Sequence, residues 1–284
     1  MAQDNLVYHY TSLKTLFNII ENQSFWLTDL WSSMDKNEMS YAEDLIKTKG
    51  KELLNLDFPC FLPARNYYAL SCTKFSDSYF HFNNYGDSCH GVSIGINKDF
   101  MKDGLGDCSR ILGYHLSFID VIYDEAVQNS FIEKYLLTDN GVPKMSGNRN
   151  LADAYNYFFA RIKRPEFNLE NEIRFTYRQD YGGTKTIALP LSDGTLFNLD
   201  EFMLKIGLEK STQDGIIQKA KYACFGNQIR KYYEMSLKEF GLNNIIKSVV
   251  IGPKSKQSCE ELKSYLNSHG INAEVKKSKI ELRN

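Results

Sequence analysis

The stretch Glu172-Ile173-Arg174-Phe175-Thr176-Tyr177 alternates polar and apolar side chains, which is the period of a β-strand. Outward from it in both directions, runs rich in β-forming residues predict further strands at 6–10, 24–30, 67–73, 91–96, 116–123 and 245–251. Apolar residues at helical spacing predict helices between these strands. Because strands and helices mix without regular βαβ alternation, we expect an α+β fold rather than a doubly wound parallel sheet.

The predicted helices follow from caps and apolar spacing. Ser12 is placed to cap a first helix, and a capping-box-like run at Asp35 begins a second helix that ends at about Leu56. Further helices are expected at 125–137, 150–162, 229–240 and 258–269. Residues 75–89 are expected to form a polar, aromatic loop between two strands.

We predict one domain over residues 1–284. In this domain 1–124 and 163–284 form the β core, and 125–162 is a helical insertion.

Composition excludes several classes of protein. The chain has 284 residues, of which 43% are hydrophobic and 13% aromatic, so it can bury enough apolar surface to fold. Lys and Arg number 34 against 35 Asp and Glu, which leaves no global basic field for nucleic acid. No apolar run approaches the roughly 20 residues of a membrane span, and the first residues lack a signal-peptide pattern. We therefore expect a cytoplasmic protein without a membrane partner.

The six cysteines do not predict a metal or redox site. No pair has CxxC spacing, and dinucleotide, P-loop, zinc-protease and serine-hydrolase motifs do not occur. Cys89-His90 with Cys72 and Cys108 nearby is the one conceivable metal cluster, but this spacing matches no common site. Buried structural thiols are the simpler interpretation, and no metal is expected.

A first candidate segment is Tyr8-His9-Tyr10-Thr11-Ser12, where a strand leads into a helix. His9 can exchange a hydrogen bond with a sugar hydroxyl, because imidazole both donates and accepts. The alternative is a strand histidine that is bonded only to backbone.

A second candidate joins Ser71, at the end of a strand, to the aromatic loop that reaches Tyr85-Gly86. An aromatic side chain there suits a flat ring such as nicotinamide or a base, by stacking. A loop that packs its own aromatic side chains explains the pattern equally well.

A third candidate is Glu170-Asn171-Glu172-Ile173-Arg174. Strand alternation places Glu170, Glu172 and Arg174 on one face, where two carboxylates and a guanidinium are costly if they are buried unpaired. The face is therefore either solvated or part of a polar site, in which a carboxylate can stabilise an oxocarbenium-like centre.

These segments carry a family resemblance. The chain resembles the bacterial domain of unknown function 2971 family in runs at 8–13, 24–29, 34–38, 70–72, 85–86, 91–95, 170–174, 249–254 and 278–283. Ile173 stands where members carry Trp, and Phe80-His81-Phe82 occupies the region where members often have Trp.

More remotely, the order of His, then Ser and Tyr, then Glu resembles the ADP-ribosyltransferase superfamily. That resemblance implies a split β core with surrounding helices that clamps NAD as substrate. His9 would contact the adenosine ribose, Tyr85 would stack on nicotinamide, and Glu172 would orient the nicotinamide ribose. The resemblance thus implies Glu172, His9 and Tyr85 as catalytic residues and His9, Tyr10, Thr11, Ser71, Tyr85 and Arg174 as residues that bind NAD.

The implied function is an NAD-consuming enzyme, a toxin or anti-phage defence effector, that passes ADP-ribose to a protein, a nucleic acid or water. One alternative is a non-catalytic module that binds a nucleotide or nucleic-acid end, although Lys163-Arg164 and Lys276-Lys277 are interpreted as solvated surface. A further alternative is an interaction partner that uses an aromatic helix at 155–159. The oligomeric state stays open.

Overall fold

The computed structural model describes residues 5–30, 37–54, 67–99, 101, 115–136, 158, 160–178, 188–190, 196–198, 220–225, 228–238 and 240–282. The strands in these parts of the chain are β1 (Leu6–Thr11), β2 (Ser24–Asp29), β3 (Tyr67–Thr73), β4 (Val92–Asn97), β5 (His115–Asp120), β6 (Glu172–Arg178), β7 (Ala188–Pro190), β8 (Leu196–Asn198), β9 (Lys221–Phe225), β10 (Gln228–Ser236), β11 (Ile246–Ile251) and β12 (Glu274–Lys277). The helices are α1 (Leu13–Asn22), α2 (Glu38–Leu54), α3 (Tyr79–Tyr85), α4 (Glu125–Leu136), a 3-10 helix (Pro165–Glu170), α5 (Leu242–Ile245) and α6 (Cys259–Ser268).

Ten strands form one large mixed sheet, and β7 and β8 form a separate pair. The main path runs β12-β11-β4-β1-β3-β2-β10-β9, with β6 paired to β3 and β5 paired to β6. Only β11 and β12 are parallel neighbours among the described pairs of this sheet. The prediction of a mixed fold of helices and strands is confirmed, whereas the split core of an ADP-ribosyltransferase stays a prediction.

The sheet divides at β3. One edge of β3 pairs with β6 from Tyr67 to Thr73. The other edge is shared: β1 meets it at Thr73, and β2 meets it at Tyr68 and Ala69. Between these two contacts, the middle of β3 has neither β1 nor β2 as a ladder partner, and the cavity described below opens beside it.

Strand β6 forms as its alternation predicts. Ile173, Phe175 and Tyr177 are buried in the main apolar core. The alternate residues Glu172 and Arg174 point to the other face and are also buried, at 7% and 1% exposure. Because successive strand residues face opposite sides, one short sequence supplies both core packing and a polar wall.

The predicted cap of α1 is confirmed, and a second serine caps α6. Ser12 Oγ accepts a hydrogen bond of 3.1 Å from the Thr15 amide at the start of α1. Ser258 Oγ accepts one of the same length from Glu261 at the start of α6. Each cap satisfies an amide that the first helical turn leaves without a partner.

Two predicted segments have a different structure. A helix was expected at 229–240, but residues 228–236 form β10, because Tyr233 and Met235 enter the core while β10 pairs with both β2 and β9. Residues 79–85, expected to be loop, form α3, whose first turn is closed by the Phe82 amide and the Ser78 carbonyl at 2.9 Å. Long-range pairing in the first case and a local turn in the second override the sequence pattern.

Most of the predicted helix at 150–162, including the proposed interaction face at 155–157 and 159, lies outside the described residues. Residues 160–162 form a turn that leads to a bridge between Ile122 and Ile162. Strands from both predicted parts of the β core lie in the same sheet. The division into core and insertion stays a prediction. Among the described helices, none combines the length and the apolar character that crossing a membrane requires.

Candidate active site

A cavity of about 520 Å³ opens where the sheet divides at β3. Its walls come from β1, β2, β3, β6 and β10, from α3 and the first residue of α2, and from the 3-10 helix. A cavity of this size suits a small-molecule ligand.

The cavity brings together six of the seven residues that the sequence analysis assigned to a site. The six that line it are His9, Tyr10, Ser71, Tyr85, Glu172 and Arg174. Thr11 is the exception: it does not line the cavity, and it pairs with Val92 of β4. These six residues span more than 160 positions of the sequence and still meet around one cavity.

His9 has a defined tautomer in this arrangement. Its Nδ1–H donates to the Ser71 carbonyl at 2.8 Å, since a carbonyl can only accept. Burial lowers the pKa of the imidazole and outweighs this hydrogen bond, which acts in the opposite direction. Within the described residues, Nε2 has no hydrogen-bond partner. It carries a lone pair that can accept a hydrogen bond from a ligand hydroxyl.

Tyr85 is the last residue of α3, and its hydroxyl is fixed. The hydroxyl donates to Glu170 Oε1 at 2.7 Å. Burial raises the pKa of this phenol, and the adjacent Glu170 carboxylate raises it further, so the phenol stays protonated. The residue as a whole is 37% exposed, which leaves part of its surface available to a ligand.

A tight turn connects α3 to β4. Asp87, Ser88 and Cys89 adopt φ angles of 53°, 50° and 76°, in the left-handed region that non-glycine residues rarely occupy. Gly91 follows, and a Cβ at this position would lie 2.1 Å from the Thr11 carbonyl oxygen. The turn therefore fixes the end of α3 against β1, in a backbone geometry of the kind that clusters at functional sites.

The small residues of β4 serve protein packing. Gly91, Ser93 and Gly95 leave one face of this segment with only small side chains, where a backbone or a ligand can approach closely. At Gly95 a Cβ would lie 2.1 Å from the Ser248 hydroxyl of β11. At both glycines the close neighbour is the protein itself.

The floor of the cavity is a charged cluster, defined here as Glu38, Lys163, Glu170, Glu172 and Arg174. All five side chains are at most 8% exposed. Such burial is rare for charged groups and requires partners for each of them.

Arg174 is the centre of the cluster. Its guanidinium donates to both oxygens of Glu172, from Nε at 2.9 Å and from one terminal nitrogen at 2.8 Å. The same terminal nitrogen contacts Glu38 Oε1, and the other donates to the Ala160 carbonyl at 3.1 Å. A bidentate arginine–carboxylate pair of this kind has a fixed geometry.

Lys163 is the second cation, and it was wrongly interpreted as solvated surface. Its Nζ lies 2.5 Å from Glu170 Oε2, 3.3 Å from Glu172 Oε2 and 3.4 Å from Glu38 Oε2. The three carboxylates come from α2, the 3-10 helix and β6, so the lysine joins three elements.

The environment of Glu172 strongly favours its ionised form. Burial alone would raise the pKa of this carboxyl, but Arg174, Lys163 and hydrogen bonds from Arg174 and Ser71 outweigh burial and lower the pKa to about 2. Burial, together with this carboxylate, raises the pKa of the neighbouring Cys72 thiol. The thiol is therefore not an activated nucleophile.

His81 lines the cavity and connects three of the elements around it. Its Nε2–H donates to the Glu170 carbonyl at 2.9 Å, and Nδ1 accepts from the Ser78 hydroxyl at 2.9 Å. Its ring stacks on Tyr10 with centroids 5.1 Å apart. Burial lowers the pKa of His81, so the neutral ring links α3, β1 and the 3-10 helix.

Four residues of the site were not predicted from the sequence as catalytic or NAD-binding: Glu38, Lys163, Glu170 and His81. Glu170 stood in the quoted Glu170–Arg174 run, and Glu38 stood in a family-like run, so each had a signal. Asn171, with φ 42°, separates the 3-10 helix from β6, so that Glu170 is not on the strand as expected. It still lines the same cavity as Glu172.

The part of the chain that the structure describes contains no group of three or more His, Cys, Asp or Glu side chains placed to hold a metal ion. Cys72 and Cys89 are buried thiols. Cys60 and Cys108 lie outside the described residues.

Comparison with known proteins gives one match. Residues 82–175 match the family model described as "Protein of unknown function (DUF2971)". A search of curated proteins and a search of solved structures found no match to this chain. The matched third of the chain runs from α3 into β6 and includes Tyr85, Lys163 and the Glu170–Arg174 run, whereas His9, Glu38 and Ser71 lie outside it. Over these residues the chain is similar to that family.

Proposed function

We propose that the protein is an ADP-ribosyltransferase-like enzyme that cleaves the nicotinamide glycosidic bond of NAD. The observation that carries this proposal is the position of His9, Tyr85 and Glu172 around one cavity. The sequence resemblance alone implies these three residues, and three unrelated residues would be scattered over the structure.

The chemistry of each residue fits a ligand with a sugar and a ring. His9 offers Nε2 as an acceptor for a ribose hydroxyl, and Tyr85 offers a partly exposed aromatic surface for a flat ring. Glu172 is held ionised at the cavity floor, where negative charge stabilises a developing cation.

The reaction needs little covalent chemistry from the protein. The bond between the ribose C1′ and the nicotinamide nitrogen breaks, and its electron pair leaves with nicotinamide, which becomes neutral. The positive charge that develops on the ribose is stabilised by the carboxylates of the charged cluster. An acceptor then bonds to C1′ and loses a proton; it is a protein side chain, a nucleic-acid group or water.

Consumption of NAD is harmful to a cell that depends on it. We therefore also propose that the protein acts in the cytoplasm, where NAD is abundant, as a toxin or anti-phage effector.

One feature favours a second candidate, a module that binds a nucleotide without chemistry. Glu172 already accepts hydrogen bonds from Arg174 and Lys163, and Ser71 contributes another. A ribose hydroxyl has to displace one of these donors before it can reach the carboxylate. A nucleic-acid ligand fits less well, because the described lining residues include five carboxylates and three cations from Lys and Arg.

The decisive measurement is nicotinamide release from NAD, followed by chromatography, for the wild type and for Glu172→Gln. We expect release by the wild type and a loss of at least about 100-fold in the variant, because a developing cation loses its nearest charge. Glu52→Gln, an exposed change on α2, is the control and should keep full activity. NAD binding without release selects the binding module, and neither binding nor release contradicts both candidates.

A further inference from the structure

The charged cluster holds more negative than positive charge. Its three carboxylates, Glu38, Glu170 and Glu172, face two cations, Lys163 and Arg174, so its formal charge is −1. The side chains are at most 8% exposed, and water therefore compensates this excess poorly. A positive charge from outside the cluster would compensate this excess.

Glu38 is the member of the cluster that has an unsatisfied carboxylate oxygen. The residue is fully buried and lines the cavity. Its Oε1 contacts Arg174, but Oε2 has no hydrogen-bond partner within the described residues. Lys163 Nζ lies 3.4 Å from Oε2, and that ammonium is shared with two other carboxylates. A buried carboxylate oxygen without a hydrogen bond is costly and indicates a group that the site receives on binding.

The walls beside the cluster are aromatic. Phe80, Tyr85 and Phe167 line the same cavity. Lys163 Nζ already lies 5.2 Å from the centre of the Phe167 ring, so cations and aromatic faces meet at this wall. A flat ring that carries a positive charge matches both the aromatic walls and the anionic floor.

We propose that the charged cluster binds the positively charged end of the ligand, so that the cavity selects a cationic ring over the same ring without charge. This inference rests on the proposed function, under which the ring is the nicotinamide of NAD. It adds that the protein distinguishes NAD⁺ from NADH, which differ at this ring by one positive charge and a hydride. The phosphates, being anionic, are repelled by the cluster and lie away from the floor.

The test uses a ligand that cannot be consumed. In a carbocyclic NAD analogue a methylene group replaces the oxygen of the nicotinamide ribose, so nicotinamide does not leave. Calorimetry gives the Kd of its oxidised and reduced forms. We expect the oxidised form to bind at least about tenfold more tightly to the wild type, as one close charge pair in a protein allows.

The preference should depend on the cluster. In Glu38→Gln the cluster becomes neutral, and the two forms should bind within about threefold of each other. Glu52→Gln removes a carboxylate from the same helix but outside the cavity, and it should keep the wild-type preference. If Glu38→Gln does not fold, as judged by thermal unfolding, Glu170→Gln removes the same charge from the cluster and takes its place.

The outcomes separate the two proposals. If the wild type binds both forms equally, or if the neutralised variant keeps the full preference, the inference is wrong while the NAD site stands. If the wild type binds neither form, the proposed function fails, and this inference fails with it.

Discussion

Strands β4 and β6 both bury two faces, but they bury different chemistry. In β4, Ile94 and Ile96 enter the main core, and the opposite face carries Ser93 and Gly95. In β6, Ile173 and Phe175 enter the same core, and the opposite face carries Glu172 and Arg174. On the second face of β4, the Ser248 side chain of the neighbouring strand β11 fills the space beside Gly95. The second face of β6 instead forms a wall of the cavity. The candidate site thus lies where the second face of the sheet packs against buried charged groups beside a cavity.

The two strands contribute differently to stability. Apolar burial stabilises the fold by about 25 cal/mol for each Å² removed from water. A buried ion network repays its own desolvation only in part, and apolar residues of the same shape often do as well. The part of the sheet around β4, here called its apolar half, therefore stabilises the fold. The part around β6 that carries the charged cluster, here called its charged half, is best explained by a function.

The largest expected effect comes from breaking the cluster. Arg174→Met leaves Glu172 and Glu38 without their main cation in a buried setting. We expect the free energy of unfolding to fall by about 3–5 kcal/mol, measured by urea denaturation. The double variant Glu38→Met with Arg174→Met should recover part of this loss, because one uncompensated carboxylate is removed with the guanidinium.

An exposed ion pair is the control for this comparison. Lys74 Nζ lies 3.1 Å from Asp120, and the two side chains are 57% and 60% exposed. Lys74→Met should change the free energy of unfolding by less than about 1 kcal/mol. Equal losses for Arg174→Met and Lys74→Met would show that burial of the cluster does not matter.

Lowering the pH should reduce the contribution of the Glu172 carboxylate to the free energy of unfolding. The pKa of Glu172 is about 2 in the folded chain, below the ordinary 4.5, so folding favours the ionised form. Its contribution to stability is complete above the ordinary value and is lost as the pH falls from about 4.5 towards 2. The difference in free energy of unfolding between the wild type and Glu172→Gln should therefore shrink over this range, by about 3 kcal/mol. A difference that is constant with pH would contradict the ionised pair.

Sequence patterns predicted features that depend on neighbouring residues better than features that depend on residues far apart in the chain. The alternation of β6 and the cap at Ser12 depend on neighbours in the chain, and both were predicted. The burial of Lys163 was not, because it depends on carboxylates that include Glu38, 125 residues earlier in the chain. Strand β10 was missed for a similar reason, since its pairing with β2 joins residues about 200 positions apart.

The tight turn beside β4 offers a third test. Gly91→Ala places a Cβ 2.1 Å from the Thr11 carbonyl oxygen, which is backbone and cannot swing aside. We expect the free energy of unfolding to fall by about 2 kcal/mol. Gly270→Ala is the control: its φ is +72°, but no atom lies within 4 Å of the added Cβ, so only backbone strain of about 1 kcal/mol is expected. A loss at Gly91 no larger than that at Gly270 would mean that the strands can separate there at little cost.

The smallest effect belongs to the apolar half of the sheet. Ile94 is fully buried in β4 and faces Val249 of β11 in the ladder, so Ile94→Val removes one methylene group from the core. We expect a loss of about 1 kcal/mol in the free energy of unfolding. Because this loss involves no ionisable group, it should be the same at pH 7 and at pH 3, in contrast to the effect of Glu172→Gln. A loss that changes with pH would mean that β4 packing depends on the charged cluster, and the two halves of the sheet would then act as one unit.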